Sequence, residues 1–218
     1  MSGYKILKIV KKVFFFLIDS LFPLDKFSTE LTTLDLQHWL AEVTKHEQYF
    51  DNFIYSFLDY RKEIVEKTIW QMKFNRNADA LRLLGEFISQ EILKKIDRQP
   101  FLIIPVPVFK NKMKSKGFNH TELLVQEILK YDHDKIFTYQ KDLIKKVKKT
   151  KDQKETKSKK ERTENLKNAF QITNPKQIAN KNVIIIDDVH TTGATLNEMR
   201  KILMKAEAKY VIAFVVAH

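Results

Sequence analysis

Two adjacent carboxylates, Asp187 and Asp188, end an aliphatic run, Val183–Ile186, and are followed closely by Thr191-Thr192-Gly193-Ala194-Thr195. Four aliphatic residues in succession read as a strand buried on both faces, which would deliver the two acids to the carboxyl edge of a sheet. The small, hydroxyl-rich stretch after them reads as a turn entering a helix. Its backbone N–H groups, its threonine hydroxyls and the positive end of the helix dipole can surround a phosphate. Gly193 would let the backbone come close to that phosphate. A phosphate cradle needs carboxylates only if the ligand also presents hydroxyls or a metal. A ribose 5-phosphate meets that condition, with its phosphate in the turn and its 2′- and 3′-hydroxyls on Asp187 and Asp188. Each half alone has a plainer reading, since acids can simply end a strand and threonines can simply cap a helix. The two halves together at this spacing point to a ligand, and no Gly-Lys-Ser/Thr is present to make the turn a Walker loop.

The elements that must position these residues alternate along the chain. Phe53–Tyr60 is rich in aromatic and β-branched residues and predicts a strand. Glu63–Lys73 predicts a helix with Ile64, Ile69 and Met72 facing inward. Ala78–Asp97 predicts another, because Leu81, Leu84, Ile88, Ile92 and Ile96 recur at three- and four-residue spacing. Phe101–Val106 is an apolar run closed by Pro105 and Pro107, as expected of a second buried strand. A loop with Gly117 leads to a helix from about Thr121 to Tyr131, with Asn119 a candidate cap. Short strands fall within Lys135–Val147, a helix near Leu196–Lys205, and a last strand at Tyr210–Val216. This alternation predicts an α/β fold with a doubly wound, mostly parallel sheet. Residues 1–50 are mixed and read as a small N-terminal region of short helices, broken at Pro23, ahead of a main domain spanning 51–218.

Composition bounds the chemistry. A chain of 218 residues, 44% hydrophobic and 11% aromatic, suits one folded domain plus a small appendage. The absence of cysteine excludes disulfides, iron–sulfur clusters and thiolate zinc sites, and the six histidines lack ligand-like spacing. A net charge of +12 points to a polyanionic partner: phosphates, nucleic acid or an anionic membrane surface. Much of it lies in Lys141–Lys167, where eleven lysines and one arginine face five acids. From Lys148 to Lys160 that stretch has no large apolar residue, and it reads as a mobile loop. Near the N-terminus, the apolar run Val13–Ile18 is shorter than the roughly 7–15 residues of a signal peptide or the ~20 of a membrane span. It reads as part of an amphipathic helix, and the expectation is a cytoplasmic protein without a transmembrane segment.

Val183–Thr195 resembles the 5-phosphoribosyl-1-pyrophosphate (PRPP) signature of type I phosphoribosyltransferases. Three further blocks, in order, resemble the ComF family: Pro105-Val106-Pro107; Lys116-Gly-Phe-Asn-His-Thr-Glu-Leu-Leu124; and Thr150-x-x-Gln153 leading to Glu161-Arg162-x-x-Asn165-Leu-Lys-Asn-Ala-Phe170. The likeness runs from about Phe53 to the C-terminus. It implies a type I phosphoribosyltransferase fold, PRPP as substrate and Mg²⁺ as its companion. Asp187 and Asp188 would be the catalytic pair, orienting the ribose and touching the metal through water. Thr191, Thr192, Gly193, Ala194 and Thr195 would hold the 5′-phosphate. The turn at Val106 and Pro107, with Lys112 and Lys116 as candidate cations, would hold the pyrophosphate. Lys148–Arg162 would be the flexible loop closing over PRPP, with Lys149, Thr150, Gln153 and Arg162 the candidates to meet it.

The implied reaction is Mg²⁺-dependent displacement of pyrophosphate by a nitrogen acceptor, a nucleobase or an amine. Residues 1–50 would serve as the hood, where Trp39, Tyr49 and Phe50 are either stacking residues or ordinary core and surface aromatics. Two departures stand out. Leu17–Pro23 resembles the start of the family's zinc ribbon, yet no cysteines follow, so zinc is not expected. Lys116 and His120 stand where the family tends to have arginine and glutamine, and lysine keeps the charge but loses the bidentate fork. The ComF likeness also implies a link to competence and DNA uptake. It leaves open a non-catalytic nucleic-acid-binding protein acting through the basic loop, although no aromatics interleave its lysines. A PRPP-sensing regulator, a homodimer and a partner in the competence machinery are left open as well.

Overall fold

The computed structural model describes residues 26–43, 45–109, 117–148 and 164–218. The chain forms two compact units, residues 1–34 and 35–218. In the first, Lys26–Thr33 is helix α1. All that follows concerns the second.

Six strands form its central sheet: β1 (Lys45–Phe50), β2 (Ile54–Leu58), β3 (Phe101–Pro105), β4 (Phe137–Tyr139), β7 (Asn182–Val189) and β8 (Tyr210–Ala217). Their spatial order is β1-β2-β8-β7-β3-β4. Every neighbouring pair is parallel except β1 with β2. Strands β5 (Ile144–Lys146) and β6 (Phe170–Ile172) make a separate antiparallel pair. The helices are α2 (Leu36–Glu42), α3 (Glu63–Trp70), α4 (Ala78–Leu93), α5 (His120–Lys130) and α6 (Ala194–Lys205). The expected α/β fold with a mostly parallel, doubly wound sheet is the fold observed.

Both faces of the sheet are covered, which is why β3, β7 and β8 read as unbroken apolar runs. On one face Leu102, Ile104, Val183, Ile185, Val211, Ala213 and Val215 pack with Leu196, Met199 and Leu203 of α6 and with Ile144 and Phe170 of the β5–β6 pair. Alternation sends Ile103, Ile184, Ile186, Ile212 and Phe214 to the opposite face, where α4 and α5 lie. Each such aliphatic side chain, once buried, contributes roughly 1.5–3 kcal/mol. The central strands therefore have the firmest footing in the molecule, and the groups they carry at their carboxyl ends are held in place.

Residues 45–50, expected within a helical segment, form β1 instead. The sequence Lys-His-Glu-Gln-Tyr-Phe is polar because this is an edge strand whose side chains are exposed or half-buried in alternation. It turns into β2 through Asp51 and Asn52, both at positive φ (50° and 56°), the geometry of a primed hairpin turn that suits Asp and Asn. Trp39 is a core residue. It is fully buried, its Nε1 donates to Thr68 Oγ1 at 3.2 Å, and its ring meets Phe87 edge-on at 5.8 Å. It is therefore not available to stack on a base.

Candidate functional site

The carboxyl ends of β2, β3, β7 and β8 share one edge, and the site is assembled there. β7 continues beyond its aliphatic stretch, so Asp187 and Asp188 are still strand residues, paired with β8 through Asp187 and Val215. Alternation points their side chains to opposite faces. Asp188 turns inward and is buried, whereas Asp187 is half-buried at the edge. Their backbones are tied locally: Asp187 Oδ1 accepts from Asp188 N at 3.0 Å, and Asp188 Oδ1 accepts from Val189 N at 2.7 Å.

Asp188 has two further partners. Lys73 Nζ forms an ion pair with Asp188 Oδ2, and His120 Nε2 lies 3.0 Å from the same oxygen. Lys73 arrives from a π-helical turn, Gln71–Asn75, that extends α3, where Gln71 O accepts from both Arg76 N and Asn77 N. Such turns recur at functional sites. His120 is the first residue of α5. The helix is capped by Asn119, whose Oδ1 accepts from Thr121 N at 3.2 Å, as the sequence suggested.

These contacts separate the two acids. Burial opposes ionisation of Asp188, but the His120 contact and the Lys73 ammonium outweigh it and hold its pKa below the usual carboxylate range. For Asp187, burial and then the neighbouring Asp188 charge push the pKa up to about 7, against a smaller opposing pull from Lys73. Lys73 remains a cation: burial disfavours its charge, and Asp188 more than compensates. One acid is thus committed to an internal ion pair, and the other is left facing the edge.

Beyond β7 the chain makes the expected turn into a helix. Gly193 occupies the N-cap position of α6 at φ +70°, and no side-chain hydrogen bond caps that end. The N–H groups of a helix's first turn, together with the positive end of its dipole, suit an anionic acceptor. A shallow, open pocket is lined here by Asp187, Val189, His190, Thr191, Gly193, Ala194, Thr195 and Leu196. It brings together Asp187 and four of the five residues read as the phosphate turn. Thr192 lies in the same turn but not on the pocket wall, and Asp188 faces away.

The candidate pyrophosphate segment is held from below. Val106 N donates to Ile186 O at 2.9 Å, tying it to β7. Val106 O accepts from Thr121 Oγ1 at 2.7 Å and Asn119 Nδ2 at 3.2 Å, tying it to α5. Pro107 follows directly. Lys112, Lys116, Lys149, Thr150, Gln153 and Arg162 lie outside the described residues.

Sequence reading missed Lys73, the contact of His120 with Asp188, and Asp51. A signal for Lys73 existed: it sits four residues after the inward-facing Ile69, on the buried side of its helix. Asp51 gave none, because only the tertiary fold carries the β1–β2 turn to α6. There Asn197 Nδ2 donates to Asp51 Oδ2 at 2.6 Å and to Gly193 O at 3.1 Å.

The phosphoribosyl transferase domain model matches residues 74–218. The chain belongs to this family. Competence protein ComFC of Bacillus subtilis (strain 168) is 27% identical over 162 residues, covering 74% of this chain and 61% of the relative. DNA utilization protein YhgH of Escherichia coli O157:H7 is 31% identical over 141 residues, covering 63% and 60%. Competence protein F of Haemophilus influenzae is 38% identical over 108 residues, covering 49% and 45%. The ComF likeness of the sequence therefore holds: this is a ComF-family protein with a type I phosphoribosyltransferase domain. The matches span about three fifths of the length of the first two relatives. Among the described residues of this phosphoribosyltransferase-family chain, no helix is long and apolar enough to cross a membrane.

Proposed function

We propose that this chain binds PRPP, as its Mg²⁺ complex, at the carboxyl edge of the sheet and transfers the phosphoribosyl group to a nitrogen acceptor, in a role linked to competence. The observation that carries this reading is the pocket in which an edge-facing carboxylate, Asp187, and the glycine-led start of α6 line the same wall. A ligand that fills it must offer phosphate oxygens to backbone N–H groups and hydroxyls to a carboxylate, as a ribose 5-phosphate does. The segment at Val106 and Pro107 follows the neighbouring strand β3, on the side where the pyrophosphate of such a ligand would extend.

In the reaction the C1′–O bond to pyrophosphate breaks, and that electron pair leaves with the pyrophosphate. A C1′–N bond forms to the acceptor, a nucleobase or an amine, which then loses a proton. Positive charge grows on the ribose ring in between. The chain's part is positioning and electrostatics. The α6 turn anchors the 5′-phosphate, and Asp187 accepts from a ribose hydroxyl and favours the developing positive charge. Asp188, locked by Lys73 and His120, sets the position of the strand end. The competence link comes from the names of the relatives in Bacillus subtilis and Haemophilus influenzae.

Calorimetric titration with PRPP and Mg²⁺, alongside ribose 5-phosphate and pyrophosphate separately, tests the reading. Saturable PRPP binding that Asp187→Asn weakens at least tenfold is expected, with pyrophosphate release on adding the right acceptor. Absence of PRPP binding, or binding untouched by that substitution, would overturn it.

A further inference from the structure

Asp188 Oδ2 is already surrounded. Lys73 approaches from the π turn and His120 Nε2 from the start of α5 at 3.0 Å, while Asp188 Oδ1 accepts a backbone N–H. Asp187 Oδ1 likewise accepts the N–H of Asp188. Mg²⁺ asks for near-octahedral oxygen ligands at about 2.0–2.1 Å and keeps several of its waters. A buried carboxylate oxygen with an ammonium and an imidazole against it has no room for such a shell. Alternation also sends the two acids to opposite faces, so they do not form a shared two-carboxylate seat. No group of three or more histidines and acids among the described residues is arranged to hold a metal ion. The acidic pair of this chain therefore does not fit a metal held by the protein itself.

The charge that a metal would supply is nevertheless present. Two adjacent acids at a buried strand end need a cation nearby, and Lys73 brings one on a four-carbon stem that can reach from a neighbouring helix. We infer that Lys73 takes the place of a carboxylate-bound divalent cation, so that the acidic pair binds no metal and the sole Mg²⁺ at the site is the one arriving with PRPP. The second half of this statement rests on the PRPP reading; the first concerns the chain without ligand and stands apart from it.

Mn²⁺, visible by electron paramagnetic resonance, is the probe. Titrated into the full chain without PRPP, it should show no saturable site up to millimolar concentrations. Lys73→Met should gain one Mn²⁺ per chain, a gain lost again when Asp188→Asn is added. Lys73→Arg, which keeps the charge, should behave as the unsubstituted chain. If the unsubstituted chain binds one Mn²⁺ that Asp188→Asn abolishes, or if folded Lys73→Met gains none, the inference is overturned.

A second measurement needs no variant. At fixed PRPP, binding should saturate with one Mg²⁺ per bound PRPP, and two would overturn the inference equally. If PRPP does not bind at all, the proposed function fails while the Mn²⁺ titration still decides the role of Lys73.

Discussion

Asp51 and Asn197 meet at 2.6 Å, joining the tip of the β1–β2 hairpin to the first turn of α6. The same Asn197 amide donates to Gly193 O at 3.1 Å, so one side chain ties the hairpin to the turn read as the phosphate site. The hairpin lies outside residues 74–218, the part matched by the family model. A segment outside that match thus braces the candidate site. Asp51→Ala should release the brace. A hydrogen bond of this kind is worth about 1 kcal/mol, so PRPP affinity should fall on the order of fivefold with little change in unfolding midpoint. Calorimetry and thermal melts on the same sample separate the two effects.

Gly193→Ala should be far more damaging than Gly117→Ala, although both glycines sit at positive φ (70° and 77°). The backbone cost of roughly 1–2 kcal/mol is common to both. At Gly193 a Cβ would also approach Asp51 Oδ2 at 3.0 Å and both Asn197 Nδ2 and His190 Nε2 at 3.1 Å, whereas at Gly117 it would meet nothing within 4 Å among the described residues. Urea unfolding should show the larger loss of stability at Gly193, with PRPP binding lost only there.

His120→Gln should be close to neutral, because a glutamine amide can still donate to Asp188. His120→Leu leaves that buried oxygen with Lys73 alone and should cost about 1–3 kcal/mol. Denaturant midpoints for the two variants give the comparison. Equal losses would mean that the imidazole matters for packing rather than for its contact with Asp188.

The two acids should leave opposite marks on stability against pH. Asp187 has a folded-state pKa raised to about 7, so the folded chain holds this proton more tightly than the unfolded chain. Its contribution is fully present below the ordinary aspartate range and is lost as pH rises through about 7. A tenfold difference in proton affinity between the folded and unfolded chain corresponds to about 1.4 kcal/mol. Asp188, with its pKa lowered, contributes above the ordinary range and loses that contribution as pH falls. Asp187→Asn should therefore gain stability relative to the unsubstituted chain on moving from about pH 5 to about pH 8. Urea midpoints at those two values check it, and a constant difference between the proteins would refute the assignment.

Much of this was legible in the sequence wherever burial is two-sided. Val183–Ile186 and Phe101–Pro105 announce themselves because a central parallel strand admits nothing polar. The turn into α6 was legible from its run of small and hydroxyl-bearing residues. Lys45–Phe50 was not, since an edge strand half-exposed on its face reads like any polar segment. The partners of Asp188 were not either: the spacing from Ile69 puts Lys73 on the buried side of its helix, but nothing local says that it will end on a carboxylate remote in sequence. Local pattern gave the acids, and only the fold gave their difference.

The π turn at Gln71–Asn75 makes this site sensitive to the length of the chain as well as to its composition. Replacing one side chain by another there leaves the winding of the helix unchanged. Deleting one residue ahead of Lys73 would rotate all that follows by about 100° and bring a different side chain to the sheet edge. Insertions and deletions of a single residue between α3 and α4 should accordingly be selected against more strongly than substitutions in the same stretch, Lys73 itself excepted.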